Sequence, residues 1–168
     1  VSVAGAEAAA RRMRFEATDS PAARINENET TLWRAPFHTS LPDADFTVEA
    51  VIQLDSLYPS ANVRTIVSHW DGSNASRGWN FGVTSEKSGY QPRNLILQLI
   101  GDVPVEEKPQ YEVIASNLRP ELGKPYYVAV SVNVEDTTET GVRFYMKDLS
   151  DPKSPIQAAF ARHKVIGG

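Results

Sequence analysis

The sequence predicts an all-β protein, an antiparallel sandwich of two sheets, and three features of the chain favour that fold. Two nine-residue stretches alternate between apolar and polar side chains, and five shorter segments are rich in β-forming residues. Turns rich in Gly, Pro, Asn and Asp separate these segments. Alternation with a period of two is typical of a strand that is buried on one side. Many short strands joined by turns, without helical patterns between them, favour a sandwich or jelly roll over an α/β fold.

The two alternating stretches are residues 46–54 and 126–134, and each predicts a strand with one apolar and one polar face. We expect their apolar faces to pack between the two sheets, because buried apolar area is the main favourable term in folding. Three residues of the shorter segments join them. The predicted core is Phe46, Val48, Ala50, Ile52, Leu54, Phe81, Leu97, Val128, Val130, Val132 and Phe144.

The five shorter segments supply the remaining strands. Asn94–Ile100 is apolar on both faces, which predicts a central strand covered on both sides, and Tyr111–Ala115 predicts an edge strand. The other three are Arg64–Trp70, Trp79–Thr84 and Val142–Met146. The stretch from 148 to 155 is rich in Asp, Ser and Pro and predicts a loop.

The chain divides into an N-terminal extension, residues 1–36, and the sandwich domain, residues 37–168. The extension contains an Ala- and Arg-rich stretch in which Glu7 and Arg11 are four residues apart. That spacing suits an ion pair on a helix, so the extension is either a short helix or a flexible linker that leads into the domain. The chain begins at Val1 without Met or a signal-peptide pattern, and we interpret it as a piece or processed form of a longer protein.

Composition excludes several classes of function. The formal net charge is -4 and the basic residues are scattered, so no basic stripe is present to bind nucleic acid. No apolar run approaches the roughly 20 residues of a membrane-spanning helix. The chain has no cysteine, which excludes disulfides, thiol catalysis and zinc–thiolate sites.

Four strand motifs resemble those of laminin-G-like domains in the concanavalin A-like lectin/glucanase superfamily. They are the Phe-Thr-Val-Glu-Ala run at 46–50, Thr-Ile-Val-Ser-His-Trp-Asp-Gly at 65–72, Gly-Trp-Asn-Phe-Gly-Val at 78–83 and Pro-Tyr-Tyr-Val-Ala-Val-Ser-Val at 125–132. A fifth, Val-Arg-Phe-Tyr-Met at 142–146, stands where such domains carry a Val-x-hydrophobic-Tyr strand. The resemblance implies a jelly roll of two antiparallel sheets, of the kind found as accessory domains of large bacterial extracytoplasmic proteins.

The sequence departs from this family pattern after Met146. A longer, Pro-containing loop replaces the usual Asp-Gly turn, and the family's closing strand is missing before the chain stops at Gly168. An incomplete sheet leaves an unpaired edge, and such edges recruit other strands. We therefore expect either residues before Phe46 or a neighbouring chain to add a strand there.

Catalytic motifs are not evident in the sequence. Glucanases of this fold place paired acids two residues apart on one strand, so that both face the same sugar. Here Glu106-Glu107 and Glu135-Asp136 are adjacent and lie in predicted loops, which suits solvated surface positions. The histidines show no metal-binding spacing, and His69 is expected to be structural. We expect a protein that binds rather than catalyses.

Aromatic and polar residues near two loops and on the polar strand faces are the candidate ligand contacts. Tyrosine and tryptophan rings suit the apolar faces of sugars, while amides, carboxylates and guanidinium groups suit the hydroxyls. Trp79 alternates with Phe81 and Val83 and is expected in the core. If the polar-faced strands share one sheet, their side chains share one surface. The candidates are Trp70, Asp71, Asn74, Arg77, Tyr90, Arg93, Tyr127, Asn133, Arg143 and Tyr145.

The functional prediction is a carbohydrate-binding module without catalytic activity, and the alternative is a protein-interaction or spacer domain without a small ligand. Polysaccharides, glycans or other domains of the parent protein are the expected partners, in an extracytoplasmic location. No cofactor is predicted. Calcium is the one metal that the resemblance leaves open, and its candidate oxygen ligands are Asp71, Asn74 and Asp102.

Overall fold

A computed structural model describes residues 45–70, 72–73, 76–101 and 109–164, and this part of the chain consists of eight β-strands and their connections. The predicted N-terminal helix or linker lies outside the described residues. The strands are β1 (Phe46–Gln53), β2 (Val63–His69), β3 (Gly78–Thr84), β4 (Leu95–Gly101), β5 (Gln110–Ala115), β6 (Pro125–Val132), β7 (Val142–Asp148) and β8 (Gln157–Ala161).

The strands form two four-stranded sheets, which confirms the predicted antiparallel sandwich. The first sheet has the order β1-β6-β7-β8 and the second has the order β2-β3-β4-β5. Every strand pairs antiparallel with its neighbours. The second sheet is a simple meander, whereas in the first sheet β1 pairs with β6 from a distant part of the chain.

The predicted core is confirmed. Val128, Val130 and Phe144 are fully buried, and β1 packs its partly buried side chains Phe46, Val48, Ala50 and Ile52 against the same cluster. Burial alternates along β1 in the order that its apolar–polar pattern predicts. The sequence pattern therefore sets which face of this strand lies inside, because successive side chains of a strand point to opposite faces.

Aromatic contacts join the two sheets through the core. The rings of Phe81 and Phe144 lie 6.5 Å apart between their centroids, one from each sheet. Trp79 stacks on Phe46 at 5.0 Å, which places this tryptophan in the core as expected. Contacts of this kind contribute about 0.5–1.5 kcal/mol of stabilisation beyond the contribution of the apolar area that the rings bury.

The central strand β4 is buried along its whole length, as the sequence predicts. All seven of its residues are buried, including those that face away from the first sheet. One of these outward positions is Gln98, whose side chain lies between Asn80 and Tyr111 in a chain of hydrogen bonds. These hydrogen bonds to Asn80 and Tyr111 explain how Gln98 is accommodated in a strand that is buried on both faces.

Strand β8 is the main feature that the sequence pattern does not predict. It adds a fourth strand to the first sheet, with Ala159 opposite Phe144 and Phe160 opposite Arg143. Its alanine-rich sequence has none of the β-branched residues that mark the other strands. The strand forms because β7 offers it a backbone edge and because Ala159 and Ala161 pack against the core.

In the part of the chain that the structure describes, no helix has the length and apolar character needed to cross a membrane.

Replacing Phe144 with Ala should lower the free energy of unfolding by about 2–5 kcal/mol, because it removes a fully buried ring at the junction of the two sheets. Phe160→Ala is the matched control. Phe160 is exposed, so the same chemical change should cost less than about 1 kcal/mol. Urea denaturation of both variants in dilute solution measures the difference, and equal losses would contradict the assignment of Phe144 to the core.

Candidate ligand-binding faces

The outer face of the first sheet brings together four polar side chains from three strands: Glu49, Tyr127, Arg143 and Tyr145. Glu49 lies opposite Ala129 of β6, and Ala129 lies opposite Tyr145 of β7. Tyr127 lies two residues from Ala129 on β6, and Arg143 lies two residues from Tyr145 on β7, so both are on the same side of the sheet. The sequence predicts that these side chains share one surface if their strands belong to one sheet. The structure meets this condition, because β1, β6 and β7 are neighbours in the first sheet.

A hydrogen bond orders the β1 side of this face. The hydroxyl of Tyr127 donates to Oε2 of Glu49 at 2.8 Å. This bond, together with burial and the nearby negative charge of Glu49, raises the pKa of Tyr127 above its ordinary value. A phenol that donates to a carboxylate loses that interaction when it ionises, so the protonated form is favoured. The ring of Tyr127 is therefore held beside Glu49, whose carboxylate has a second oxygen, Oε1, in addition to the one that accepts from the phenol.

Ala129 lies at the centre of this face. Its side chain points away from the core, yet it is only 1% exposed. It sits opposite Glu49 on one strand and opposite Tyr145 on the other. Ala129 is therefore covered from solvent, and it lies between a carboxylate on one neighbouring strand and an aromatic ring on the other.

A turn after β6 positions Arg143 at one end of the face. Arg143 is exposed, and its Nε donates to the backbone oxygen of Thr140 at 3.2 Å. The turn is held by Asp136, which accepts hydrogen bonds from Thr138 and Thr140, and these bonds lower the pKa of Asp136. Asp136, one of the adjacent loop acids, thus has a structural role in this turn.

Asn133 belongs to the same turn, and its carboxamide is engaged there. Its Oδ1 accepts hydrogen bonds from the backbone N–H groups of Glu135 and Asp136, at 3.1 and 3.0 Å. An asparagine that closes a turn in this way has its oxygen occupied. Asn133 therefore lies beside the outer face, but it offers a ligand less than Tyr127, Tyr145 or Arg143 does.

Trp70 lies at one end of the second sheet, away from the outer face of the first. Its ring is 6.0 Å from that of Tyr111 on β5, and its Nε1 donates to the backbone oxygen of Ser73 at 2.8 Å. Gly78 makes this arrangement possible, since a Cβ there would meet the backbone oxygen of His69 at 2.2 Å. The ring of Trp70 is half-buried, and one end of it already contacts Tyr111.

The other candidates near Trp70 are only partly described. Arg77 is exposed in the loop between β2 and β3. Asp71, Asn74 and Asp102, the proposed calcium ligands, lie outside the described residues, as does the acidic pair at 106–107. Among the residues that the structure describes, no three His, Asp or Glu side chains cluster closely enough to hold a metal ion.

Tyr90 and Arg93 lie at the opposite end of the second sheet, in the loop between β3 and β4. The seven-residue strand β3 separates them from Trp70 by about 20 Å, at about 3.3 Å for each residue. Tyr90 is exposed, while Arg93 donates to the backbone oxygen of Pro120 at 3.4 Å. The structure therefore places the two groups of loop candidates at separate ends of one sheet.

Asn94 organises this second loop, although the sequence pattern predicts it only as the first residue of a strand. It is fully buried, and its Nδ2 donates to the backbone oxygen of Tyr90 at 2.7 Å. Its Oδ1 accepts a hydrogen bond from the backbone N–H of Asn117 at 2.8 Å. The side-chain amide of Asn94 thus holds both the loop between β3 and β4 and the turn that follows β5. A polar residue directly before the apolar run 95–97 is the sequence signal that marks it.

Comparison of the chain with models of protein families, with curated proteins and with solved structures found no match.

Changing Glu49 to Gln should lower the pKa of Tyr127 toward the ordinary tyrosine value, because the variant weakens the hydrogen bond that the phenol donates and removes the charge that opposes its ionisation. Because folding raises this pKa, the bond stabilises the fold below the ordinary tyrosine pKa, and that contribution is lost as pH rises through the raised value. Phenolate absorbance, assigned with Tyr127→Phe, measures the shift. Glu86→Gln, in a distant loop, is the control, and an unchanged titration in Glu49→Gln would contradict the contact.

Proposed function

We propose that this chain is a carbohydrate-binding module without catalytic activity, and that the outer face of the first sheet is its ligand surface. The observation that supports this most directly is the arrangement of Tyr127 and Tyr145 around Ala129, with Glu49 and Arg143 at the margins. Two aromatic side chains on neighbouring strands, with charged groups of both signs beside them, match the chemistry of a sugar ring.

The outer face has groups that suit both the apolar and the polar parts of a sugar. A pyranose presents apolar C–H faces, which pack against aromatic rings, and hydroxyls around its edge, which donate and accept hydrogen bonds. Glu49 and the tyrosine hydroxyls provide acceptors, while Arg143 provides donors. Because Tyr127 is held by Glu49 before a ligand arrives, less side-chain freedom is lost on binding.

The carboxylate on this face supports binding rather than hydrolysis. Glycosidases use two acids about 5–5.5 Å apart, or about 6.5–9.5 Å apart, on either side of the bond that is broken. The neighbours of Glu49 across and along the described sheet are Thr47, Val51, Tyr127, Ala129 and Ser131, and none of them is an acid. Glu49 instead accepts a hydrogen bond from Tyr127.

Membership of the laminin-G-like group in the concanavalin A-like superfamily, and an extracytoplasmic location in a longer protein, are part of the same proposal. The strand motifs at 46–50, 78–83 and 125–132 support it, and these motifs form the neighbouring strands β1 and β6 and the core strand β3. Fold alone does not determine function, so the outer face carries the functional argument.

A protein-interaction domain is the second candidate, and the exposed apolar side chains of the first sheet favour it. Val51, Ile156 and Phe160 are 67%, 60% and 57% exposed, and all three belong to the edge strands or their ends. Apolar side chains at such positions are typical of surfaces that contact another protein. The two candidates meet on the outer face of the first sheet, since Val51 lies opposite Tyr127 and Phe160 lies opposite Arg143, and they are distinguished by the ligand that binds.

Affinity electrophoresis against soluble polysaccharides tests the proposal. The probes are mixed-linkage β-glucan, xylan, galactomannan and polygalacturonate. We expect retardation by at least one of them, and we expect Tyr145→Ala to weaken that binding by about tenfold or more, which corresponds to about 1.4 kcal/mol. Tyr90→Ala is the matched control, since it removes an exposed tyrosine from a distant loop and should leave binding unchanged.

Three outcomes would contradict the proposal. If no polysaccharide retards the chain, the interaction domain becomes the better account. If Tyr90→Ala weakens binding and Tyr145→Ala does not, the ligand surface lies at the end of the second sheet. Release of reducing sugar that Glu49→Gln abolishes would show a catalytic site where we propose a binding site.

A further inference from the structure

Strand β8 is an edge strand with an unusual composition. It pairs with β7 on one side, and no other strand of the described chain lies on its far side. The five residues of β8 include no charge and no proline. Edge strands in soluble proteins are usually protected by charged side chains, prolines or bulges, because their free N–H and C=O groups can pair with another strand.

The other three edges of the sandwich carry such protection. In β2 the register shifts between Thr65 and Val67, which interrupts the regular ladder. In β1 the outward side chains include the charged Glu49. In β5 the carboxylate of Glu112 accepts a hydrogen bond from the backbone N–H of Lys164. Among the four edges, β8 alone has neither a charge nor an irregular register.

The side chains of β8 add an apolar surface to this open edge. Phe160 and Ile156, the residue before the strand, are both more than half exposed. Both side chains lie on the outer side of the first sheet, since the residues that alternate with Phe160, Ala159 and Ala161, pack against the core. Two exposed apolar side chains beside an edge without charge are features that surfaces in contact with another protein share.

We propose that a second copy of this chain pairs with β8, so that two copies of the first sheet form one continuous eight-stranded sheet. Antiparallel pairing of β8 with itself produces a two-fold symmetric contact, in which the same patch serves both subunits. The register with full overlap places Ala159 opposite Ala159 and Gln157 opposite Ala161. It also places each Phe160 opposite the Ala158 of its partner, a large residue beside a small one.

The distribution of charge favours a second copy as the occupant. Within the overlap no charged side chains face one another, so self-pairing meets no repulsion. The nearest cation, Arg162, forms an ion pair with Glu139 of its own chain. In the same register Arg162 lies opposite Ile156, so the two Arg162 side chains do not meet. A strand that pairs with its own copy without bringing like charges together is suited to symmetric pairing.

Sedimentation velocity of the full chain across a range of concentrations tests the proposal. We expect a monomer–dimer equilibrium, and we expect Phe160→Lys to raise the dimer dissociation constant by more than about tenfold. Val51→Lys is the matched control, because Val51 is also more than half exposed but lies on the opposite edge strand of the same sheet. Its dissociation constant should equal that of the unchanged chain.

Cross-linking tests the register independently of affinity. The chain has no cysteine, so Ala159→Cys introduces a single thiol. Residues directly opposite in an antiparallel pair have Cα atoms about 4.5–5.5 Å apart, within the range of a disulfide. We expect Ala159→Cys to form a disulfide-linked dimer under mild oxidation, and Val51→Cys to remain monomeric.

Either experiment can overturn the proposal. A chain that stays monomeric at every concentration, as it would if one of its own segments occupied this edge, rules out the second copy. A dimer that survives Phe160→Lys, or that cross-links as readily from Val51→Cys as from Ala159→Cys, uses a different surface.

Discussion

The pairing of β1 with β6 is the contact on which the rest of this sandwich depends. It joins two strands that are far apart in the chain, and its register sets both faces of the first sheet at once. Val48 opposite Val130 contributes to the core, while Glu49 opposite Ala129 contributes to the outer face. A slip of one residue would expose Val48 and bury Glu49, so the hydrophobic core strongly specifies this register.

The second sheet supports the first through a core that is shared between them. The contact of Phe81 with Phe144 fixes β3 against β7, and the stack of Trp79 on Phe46 fixes β3 against β1. The ligand face that we propose is therefore built on strands whose inner sides are well packed. Rigid strands position side chains more accurately than loops do, because neighbouring core contacts restrict their motion.

Seven of the eight strands could be predicted from the sequence, because alternating patterns or segments rich in β-forming residues mark them between turn-forming residues. The core residues followed from the same patterns. Burial on both sides of β4 was also predictable, since its run is apolar at both parities. Strand β8 was not, because Ala158, Ala159 and Ala161 have little β propensity and the strand depends on its pairing with β7 and on the packing of Ala159 and Ala161 against the core.

The candidate site was predictable only in part. The surface shared by Tyr127, Arg143 and Tyr145 depended on which strands are neighbours, and the sequence could state it only as a condition. The loop candidates were harder, since Trp70 and Tyr90 are close in sequence but lie at opposite ends of β3. Asn94 was missed because its hydrogen bonds reach a loop and a turn that a pattern of apolar residues does not describe.

Tyrosine side chains lie on or beside each candidate ligand-binding surface, so one labelling experiment distinguishes these surfaces. The chain has six tyrosines, including Tyr127 and Tyr145 on the outer face, Tyr111 beside Trp70, Tyr90 in the distant loop, and Tyr126 in the core. With isotope-labelled tyrosine rings, nuclear magnetic resonance can follow each ring while the retarding polysaccharide, as short oligosaccharides, is added. Our account predicts that the signals of Tyr127 and Tyr145 shift while those of Tyr90, Tyr111 and Tyr126 remain in place. Shifts confined to Tyr90 or Tyr111, with the two outer-face signals unchanged, would contradict it.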